Sequence, residues 1–386
     1  MKVEPLGKID EQLLLELLRL PFRDSGERPR FLRIQRAHVS GVSYLNIGDA
    51  GIQLLKDLSE TGARVKVRTT LNPGFVELSA AGKRSCDPIV YKKQKEIAEC
   101  FLKLGVLPTF SCTPHFEGNV PRRGEHLAWA ESSAVLYSNS VIGAWTNKES
   151  GMGALAAAIM GFTPRTGVHV SEGRKARFQV EYTGEVEDEV VAGALGYLVG
   201  KRTGDGISIV KSNGLLKKET TAEYLAALGT SGASPMAIIE GVTPGPRRKT
   251  RKSPEKAEMV ESEVRELLEE YQTNEPPQAI LIGCPHAVFT SERRLLDLAE
   301  RKPKLPVFVF VSRRRKERLT RAGLTRKLRR RGISVVADAC IMWCGLRALG
   351  YEAVLTNSVK GAHYLRNHMR IDVGLAPMSE LAGGLK

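Results

Sequence analysis

The sequence has no long run of apolar residues. None of its 386 residues falls in a stretch approaching the roughly 20 apolar positions that a membrane-spanning helix needs. The N-terminal segment, residues 1–20, carries acidic residues inside its apolar stretch and lacks the small-residue cleavage site of a signal peptide. This segment therefore predicts an amphipathic helix, and we expect a soluble protein of the cytoplasm.

Cysteine is scarce as well. Six cysteines are too few and too scattered for a scaffold held by disulfides, which are rare in the cytoplasm. The sequence also lacks a Cys-x-x-Cys pair and any compact Cys/His spacing, which argues against a zinc site. The cysteines are thus left with packing, metal ligation or nucleophilic chemistry as their roles.

Aromatic residues make up only 6% of the chain, although its formal net charge is +15. A basic surplus of this kind can serve nucleic acid, an anionic substrate or an acidic partner. Much of it lies in two runs, residues 247–252 and 313–331, and no aromatic residue interleaves with them. A stacking platform for single strands is therefore disfavoured, and the second run fits a helix with a solvated basic face. A basic nucleic-acid-binding protein is the alternative from another functional class.

What the sequence does contain is an alternation of strand and helix patterns. Strand candidates such as residues 63–67 and 107–111 are separated by amphipathic helical segments, and the last third continues the pattern. This alternation is typical of α/β domains with parallel sheets, and the length favours two or three of them. We predict α/β domains at residues 1–125, 126–275 and 276–386, the second ending in a charged connection.

Three cysteines follow strand candidates directly. They are Cys112 in SCTPH, Cys284 in GCPHA and Cys340 in DACIM. In open α/β sheets, ligand sites gather at the carboxyl ends of strands. Three thiolates suit an iron–sulfur cluster in which one iron stays open and acts as a Lewis acid. The alternative for each of them is that a buried cysteine is simply a small hydrophobic residue.

The other three cysteines differ in their surroundings. Cys100 lies on the apolar face of a predicted helix at residues 90–105 and is expected in the core. Cys86 lies in a polar loop without an evident partner. Cys344 is four residues beyond Cys340 and remains an alternative to it as a ligand.

Eight short motifs occur in order along nearly the whole chain and together resemble the aconitase X family. They are VSYLNIGDAG (42–51), TTLNP (69–73), SCTPHFEGNVP (111–121), GEHLAWAESSAV (124–135), NSVIGAWTN (139–147), GCPH (283–286), DAC (338–340) and TNSVKGAHY (356–364). Two positions depart from the family pattern: His115 stands where tyrosine is usual, and Trp145 where arginine is usual.

The resemblance implies an α/β, aconitase-like catalytic core of several domains with parallel-rich sheets, lacking the swivelling domain. It implies an iron–sulfur cluster, expected to be 4Fe-4S, on Cys112, Cys284 and Cys340. It also implies a separate small subunit that carries the swivelling domain and the catalytic base. The implied activity is dehydration of mevalonate 5-phosphate in the archaeal mevalonate pathway, and cis-3-hydroxy-L-proline dehydration is the alternative.

The resemblance further points to polar residues within the motifs as contacts for the substrate's carboxylate, hydroxyl or phosphate. For each, the alternative is capping or turn chemistry, or, for lysine, solvation. Those expected to bind substrate are His38, Ser43, Thr70, Asn72, Glu131, Ser132, Ser133, Asn147 and Lys360. The candidates for the phosphate are Arg122, Arg123, Lys148 and Lys360.

Overall fold

The computed structural model describes residues 11–22, 29–245 and 250–381. Its strands form four sheets, of which three are entirely parallel. The strands are β1 (Phe31–Arg33), β2 (Arg36–Val39), β3 (Arg68–Leu71), β4 (Leu127–Trp129), β5 (Phe162–Pro164), β6 (Ala176–Tyr182), β7 (Ser208–Lys211), β8 (Ala237–Ile239), β9 (Thr250–Met259), β10 (Ala279–Ile282), β11 (Val307–Phe310), β12 (Ile333–Val336), β13 (Ala353–Thr356) and β14 (Asp372–Leu375).

Helices connect most of these strands. They are α1 (Glu11–Arg19), α2 (Tyr44–Glu60), α3 (Ala80–Arg84), α4 (Pro88–Lys103), α5 (Ser132–Tyr137), α6 (Gly151–Met160), α7 (Glu189–Thr203), α8 (Lys218–Ser231), α9 (Glu261–Glu269), α10 (Glu292–Glu300), α11 (Arg313–Arg321), α12 (Leu324–Arg329), α13 (Gly345–Ala348), α14 (Val359–Tyr364) and α15 (Met378–Leu381). Of the helices in the described part of the chain, none has the length and apolar character needed to cross a membrane.

The first unit is built on the parallel sheet β3-β2-β4. Helices α2, α4 and α6 enclose its core, which includes Leu71, Ile97 and Leu155. Helix α4 begins where its sequence indicates: Asp87 caps two backbone N–H groups, and Pro88 occupies the first helical position. The small residues of α6 are almost all buried, which lets that helix lie close to β2.

The middle unit is the parallel sheet β8-β7-β6-β9 with helices α7 and α8. These two helices touch through their backbones, because a Cβ at Gly196 would collide with the carbonyl of Tyr224. The last unit is the five-stranded parallel sheet β12-β11-β10-β13-β14. Its central strands are fully buried and read as continuous apolar runs such as AILI and VFVF, as expected for a sheet covered on both faces.

The predicted α/β class with parallel-rich sheets is confirmed, but two predicted strands are wrong. The strand predicted at residues 63–67 lies further along the chain, at Arg68–Leu71. Residues 107–111 form an irregular segment, with Phe110 at a positive φ of 42°, and its pairing with β3 is limited to an isolated bridge between Leu107 and Thr70. The predicted boundary between residues 125 and 126 falls just before β4, which pairs with β2 of the first unit; the three-domain division stays a prediction.

The second basic run forms α11 and α12. Leu319 and Leu328 are buried under it, while most of its arginines face solvent. Arg315 is the exception, because its buried guanidinium donates to the carbonyls of Ala287 and Thr290. Residues 247–249 of the first basic run lie outside the described residues.

Candidate active site

A cavity of about 420 Å³ lies where strands of two sheets end. Its lining includes residues that follow β2, β3 and β4, namely Ser40, Asn72 and Ala130. It also includes Cys284 and Cys340, which follow β10 and β12. Residues at the carboxyl ends of parallel strands from the first and last units therefore line one cavity, the usual location of a ligand site in α/β proteins.

All three predicted cluster cysteines line this cavity. Cys112 and Cys284 are buried and Cys340 is partly exposed, and none of the three forms a disulfide. Cys112 follows the irregular segment at residues 107–111 rather than a strand, and its Sγ accepts a hydrogen bond from the backbone N–H of His286 at 3.1 Å. Burial raises the pKa of Cys112 to about 12 and that of Cys340 to about 11, and it also raises the pKa of Cys284.

Three thiols are the donor set of an iron–sulfur cluster in which one iron is not bound by cysteine. Within residues 11–22, 29–245 and 250–381, no three His, Cys, Asp or Glu side chains converge on a point that could hold one metal ion. In an iron–sulfur cluster each thiolate binds a different iron, so the three sulfurs do not have to coordinate one shared ion. Space next to Cys284 depends on Gly361, where a Cβ would lie 3.3 Å from the Cys284 Cβ. The raised thiol pKa values mean that ligation would have to displace protons, as metal binding by cysteine does.

A buried ion pair forms the polar wall of the cavity. The Lys360 Nζ donates to Glu131 Oε1 at 2.6 Å, and the two side chains are only 8% and 12% exposed. Burial opposes the charge on Glu131, but Lys360 and hydrogen bonds from Ser133 and Asn72 outweigh it and lower the pKa to about 2. Burial likewise opposes the charge on Lys360, and Glu131 nevertheless raises the pKa of this lysine. Both groups are therefore charged at neutral pH.

Behind Glu131 lies a chain of hydrogen bonds through the first unit. The Asn72 amide donates to Glu131 Oε2 at 3.0 Å, and the Asn72 Oδ1 lies 3.2 Å from His38 Nε2. The other ring nitrogen of His38 lies 2.8 Å from Thr70 Oγ1, which accepts from Asn119. Burial lowers the pKa of His38 to about 4, so its ring is neutral. His38 and Thr70 thus support the wall without lining the cavity.

The predicted serines divide between the cavity wall and its support. Ser43 and Ser132 line the cavity; Ser43 also caps α2 by accepting from the backbone N–H of Leu45. Ser133 donates to Glu131 Oε1 at 2.9 Å. Asn147 is not among the lining residues, because its side chain is occupied by the backbone of Thr166 and Val168. Its contact with substrate stays a prediction.

The four phosphate candidates separate in the same way. Lys148 and Lys360 line the cavity, whereas Arg122 and Arg123 are exposed and do not. The Lys148 Nζ donates to the carbonyls of Gly229 and Gly232 at 3.0 and 3.2 Å, at the end of α8. The middle unit therefore also reaches the cavity.

The two positions that depart from the family pattern hold rings that pack against other side chains. His115 is buried and stacks on Tyr137, with ring centroids 4.5 Å apart, and burial lowers its pKa to about 3. Trp145 lies under the guanidinium of Arg174, 4.5 Å from the ring centroid. Neither His115 nor Trp145 lines the cavity.

The remaining cysteines lie elsewhere. Cys100 is buried in the core of the first unit, as expected. Cys86 is not a free loop residue, because it packs with Phe75 in a small cluster that Cys344 also contacts. Cys344 is not among the lining residues and shares no helix with Cys340, since α13 begins only at Gly345. Of Cys340 and Cys344, only Cys340 lines the cavity together with Cys112 and Cys284.

Sequence reasoning missed several lining residues. Asn46 and Tyr364 lie inside motifs that carry the family resemblance, so the sequence did contain a signal for them. Thr230 and Met342 lie outside those motifs and offered no signal. His286 and Asp338 are buried, and both contact cysteine-bearing segments.

The fold and the cavity define an α/β protein with several parallel sheets, in which three thiols and a buried ion pair line one cavity. The chain belongs to the aconitase X family. Residues 18–172 match the Aconitase X first domain, residues 175–272 the second and residues 277–383 the third.

Curated relatives and a solved structure agree with this. The phosphomevalonate dehydratase large subunit of Methanothermobacter thermautotrophicus is 38% identical, over 89% of this chain and 86% of that protein. The protein of the same name from Thermococcus kodakarensis is 37% identical, over 88% and 86%. The cis-3-hydroxy-L-proline dehydratase of Pseudomonas aeruginosa is 32% identical, but the match covers only 60% of that protein. The crystal structure of Thermococcus kodakaraensis aconitase X in its holo-form is similar with a TM-score of 0.87 and 35% identity, over 97% of this chain and 95% of that one.

Proposed function

We propose that this chain is the large subunit of a hydro-lyase that dehydrates (R)-5-phosphomevalonate to trans-anhydromevalonate 5-phosphate. The observation that carries the proposal is a cavity combining three thiols with a buried lysine–carboxylate pair. It occurs in a chain that matches phosphomevalonate dehydratase large subunits over most of both lengths. The proposed role lies in the archaeal mevalonate pathway of isoprenoid biosynthesis.

The proposed cofactor is an iron–sulfur cluster, of the 4Fe-4S type, held by Cys112, Cys284 and Cys340. Such a cluster, with one iron not bound to cysteine, supplies a Lewis acid for the hydroxyl group that leaves. The backbone N–H of His286 would serve as a hydrogen-bond donor to the Cys112 sulfur, the kind of contact that tunes such clusters. Free thiols in all six cysteines fit a reducing compartment, and we place the protein in the cytoplasm.

The chain's own residues would bind and orient the anionic substrate. Lys360 and Lys148 bring positive charge to the cavity, and Ser43, Asn72 and Ser132 bring hydrogen-bonding groups. Charge-assisted contacts to a carboxylate or phosphate contribute on the order of 1.5–3 kcal/mol each. The ion pair with Glu131 holds Lys360 in place before substrate binds. Lys148 donates to backbone carbonyls rather than to a carboxylate, so it is the cation more available to the phosphate.

Dehydration also needs a base that removes a proton from C2 while hydroxide leaves C3. Glu131 is a poor base, because its pKa is about 2 and its oxygens accept from Lys360, Ser133 and Asn72. Burial raises the pKa of the lining Tyr364, which keeps that phenol protonated. We therefore propose that the base is provided by a small subunit carrying the swivelling domain, in line with the name "large subunit" borne by the relatives.

The experiment is anaerobic co-purification with the small subunit, followed by iron and sulfide assays and turnover measurements. We expect iron retention and turnover of mevalonate 5-phosphate by the complex, and no turnover by the large subunit alone. Alanine at Cys112, Cys284 or Cys340 should abolish iron retention. Alanine at Cys100, a buried core cysteine, is the matched control and should keep it.

Two outcomes would contradict the proposal. Full iron content in the Cys284→Ala complex would remove the assignment of the cluster. Equal or faster turnover of cis-3-hydroxy-L-proline, or of mevalonate without phosphate, would remove the assignment of the substrate.

A further inference from the structure

The three cluster cysteines reach the cavity on three separate segments of chain. Cys112 follows the irregular segment beside β3, whereas Cys284 and Cys340 follow β10 and β12. Strands β10 and β12 are not neighbours, since β11 lies between them in the sheet. The positions of the cysteines relative to one another therefore depend on contacts between the loops that carry them.

One residue contacts all three segments. His286 lies two positions after Cys284, and its backbone N–H donates to Cys112 Sγ at 3.1 Å. Its ring Nε2 lies 3.1 Å from the carbonyl oxygen of Ala339, the residue just before Cys340. A carbonyl can only accept, so this contact assigns the proton to Nε2. The side chain is 1% exposed, and water does not compete for the bond.

Hydrogen bonds from neighbouring elements fix the loop that carries His286. Arg315, on α11, donates to the carbonyls of Ala287 and Thr290. The backbone N–H of Ala287 also donates to the carbonyl of Phe310 at 2.9 Å, at the end of β11. His286 thus lies on a loop that several hydrogen bonds hold in place. The hydrogen bond from its ring to Ala339 restricts the position of the adjacent Cys340.

We propose that His286 is a positioning residue that sets the spacing of the three cysteines, through its backbone bond to Cys112 and its ring bond to the carbonyl preceding Cys340. The role of His286 in cluster binding depends on the proposed function. Its geometry, however, concerns the cysteine array itself and can be tested on the protein without iron.

The test replaces the ring by amides that reach to different lengths. In His286→Gln the side-chain amide nitrogen lies near the position of Nε2 and can still donate to Ala339, whereas in His286→Asn it lies near Nδ1 and cannot. The rate at which iodoacetamide modifies Cys340 in iron-free protein is measured by peptide mapping. Iron retained against a chelator is measured in parallel on reconstituted complex.

We expect His286→Asn to be modified at Cys340 roughly 5-fold to 100-fold faster than wild type, the range that loss of one buried hydrogen bond corresponds to. His286→Gln should stay close to wild type in both readouts. His169→Ala is the matched control, because His169 is also a buried histidine whose ring has a single partner, His126, away from the cysteines.

Wild-type modification rates in the asparagine variant would overturn the proposal, as would equal acceleration in the glutamine variant or in the His169 control. A protein whose thiols behave as expected but that never takes up iron would instead contradict the proposed cluster.

Discussion

At the scale of single residues, the Glu131–Lys360 pair is the least ordinary feature of the cavity. Taking two charges out of water is costly, and the pair is tolerable because Asn72 and Ser133 satisfy the remaining carboxylate lone pairs. Removing one partner leaves the other charged and buried. The pair is therefore expected to contribute both to stability and to the preorganisation of the site.

Lys360→Met should lower the free energy of unfolding by roughly 3–5 kcal/mol at neutral pH, because it leaves the Glu131 carboxylate buried without its cation. Urea unfolding of the iron-free chain measures this. The double variant Lys360→Met with Glu131→Gln should be more stable than the single one, because it removes the stranded charge as well. A double variant that lost the sum of both single effects would contradict this account.

The same pair fixes the sign of a pH effect. The pKa of Glu131 is lowered from 4.5 to about 2, so its contribution is complete above about pH 4.5 and is lost as the pH falls toward 2. Glu131→Gln should therefore flatten the acid side of the stability profile.

The sequence could predict the cysteines but not this pair. Each cysteine adjoins a recognisable strand pattern or motif, whereas Glu131 and Lys360 are 229 positions apart and meet only through the assembled fold. A buried glutamate is recognisable from its apolar neighbours; its partner is not.

At the scale of elements, the segment after β12 determines how the first and last units meet. Asp338 has a positive φ of 64°, unusual for a residue with a Cβ. Its carboxylate accepts from Arg313 Nε at 2.8 Å and from the backbone N–H of Leu78 at 3.2 Å. Its carbonyl accepts from the N–H of Gly74, whose own carbonyl accepts from the N–H of Cys340. Side chain and backbone together hold the Cys340 segment against the first unit.

Replacing Asp338 separates these two contributions. Asp338→Ala and Asp338→Gly both lose the carboxylate contacts, but only alanine keeps a Cβ in the left-handed region. We expect alanine to be less stable than glycine by about 1 kcal/mol, as measured by urea unfolding. Glu77→Gln is the control, because it breaks the neighbouring ion pair with Lys316 without changing a residue of positive φ. Equal stability of the two Asp338 variants would show that its backbone carries no strain.

Elements were predicted well where the signal is local. The helix predicted at residues 90–105 closely matches α4, since its cap, its first-turn proline and its apolar stripe all lie within one segment. The strand predicted at residues 63–67 was misplaced because pairing partners decide where a short strand begins. Residues 68–71 are the ones that align with β2.

At the scale of the whole molecule, the cavity belongs to no single unit. Cys112 comes from the first, Cys284 and Cys340 from the last, and Lys148 is held by carbonyls at the end of α8 in the middle unit. A bound cluster would therefore tie the first and last units together and stabilise the folded state by linkage, since only that state can hold it.

If the proposed cluster is bound, its removal should lower the melting temperature of the whole chain. Chelation under reducing conditions, followed by calorimetry, measures this. Cys100→Ala should show the same difference between loaded and stripped protein, whereas Cys340→Ala should show none. An unchanged melting temperature after complete loss of iron would mean that the units are held together without the cluster.

The division of the three cysteines between the first and last units also limits when a cluster can be assembled during protein synthesis. Translation proceeds at about 5–20 residues per second, so Cys112 leaves the ribosome on the order of tens of seconds before Cys340. During that interval the nascent chain presents at most two of the three thiols. A cluster that needs all three thiols can be completed only after Cys340 has been synthesised, so iron would have to be delivered to a chain in which both the first and the last unit are already present.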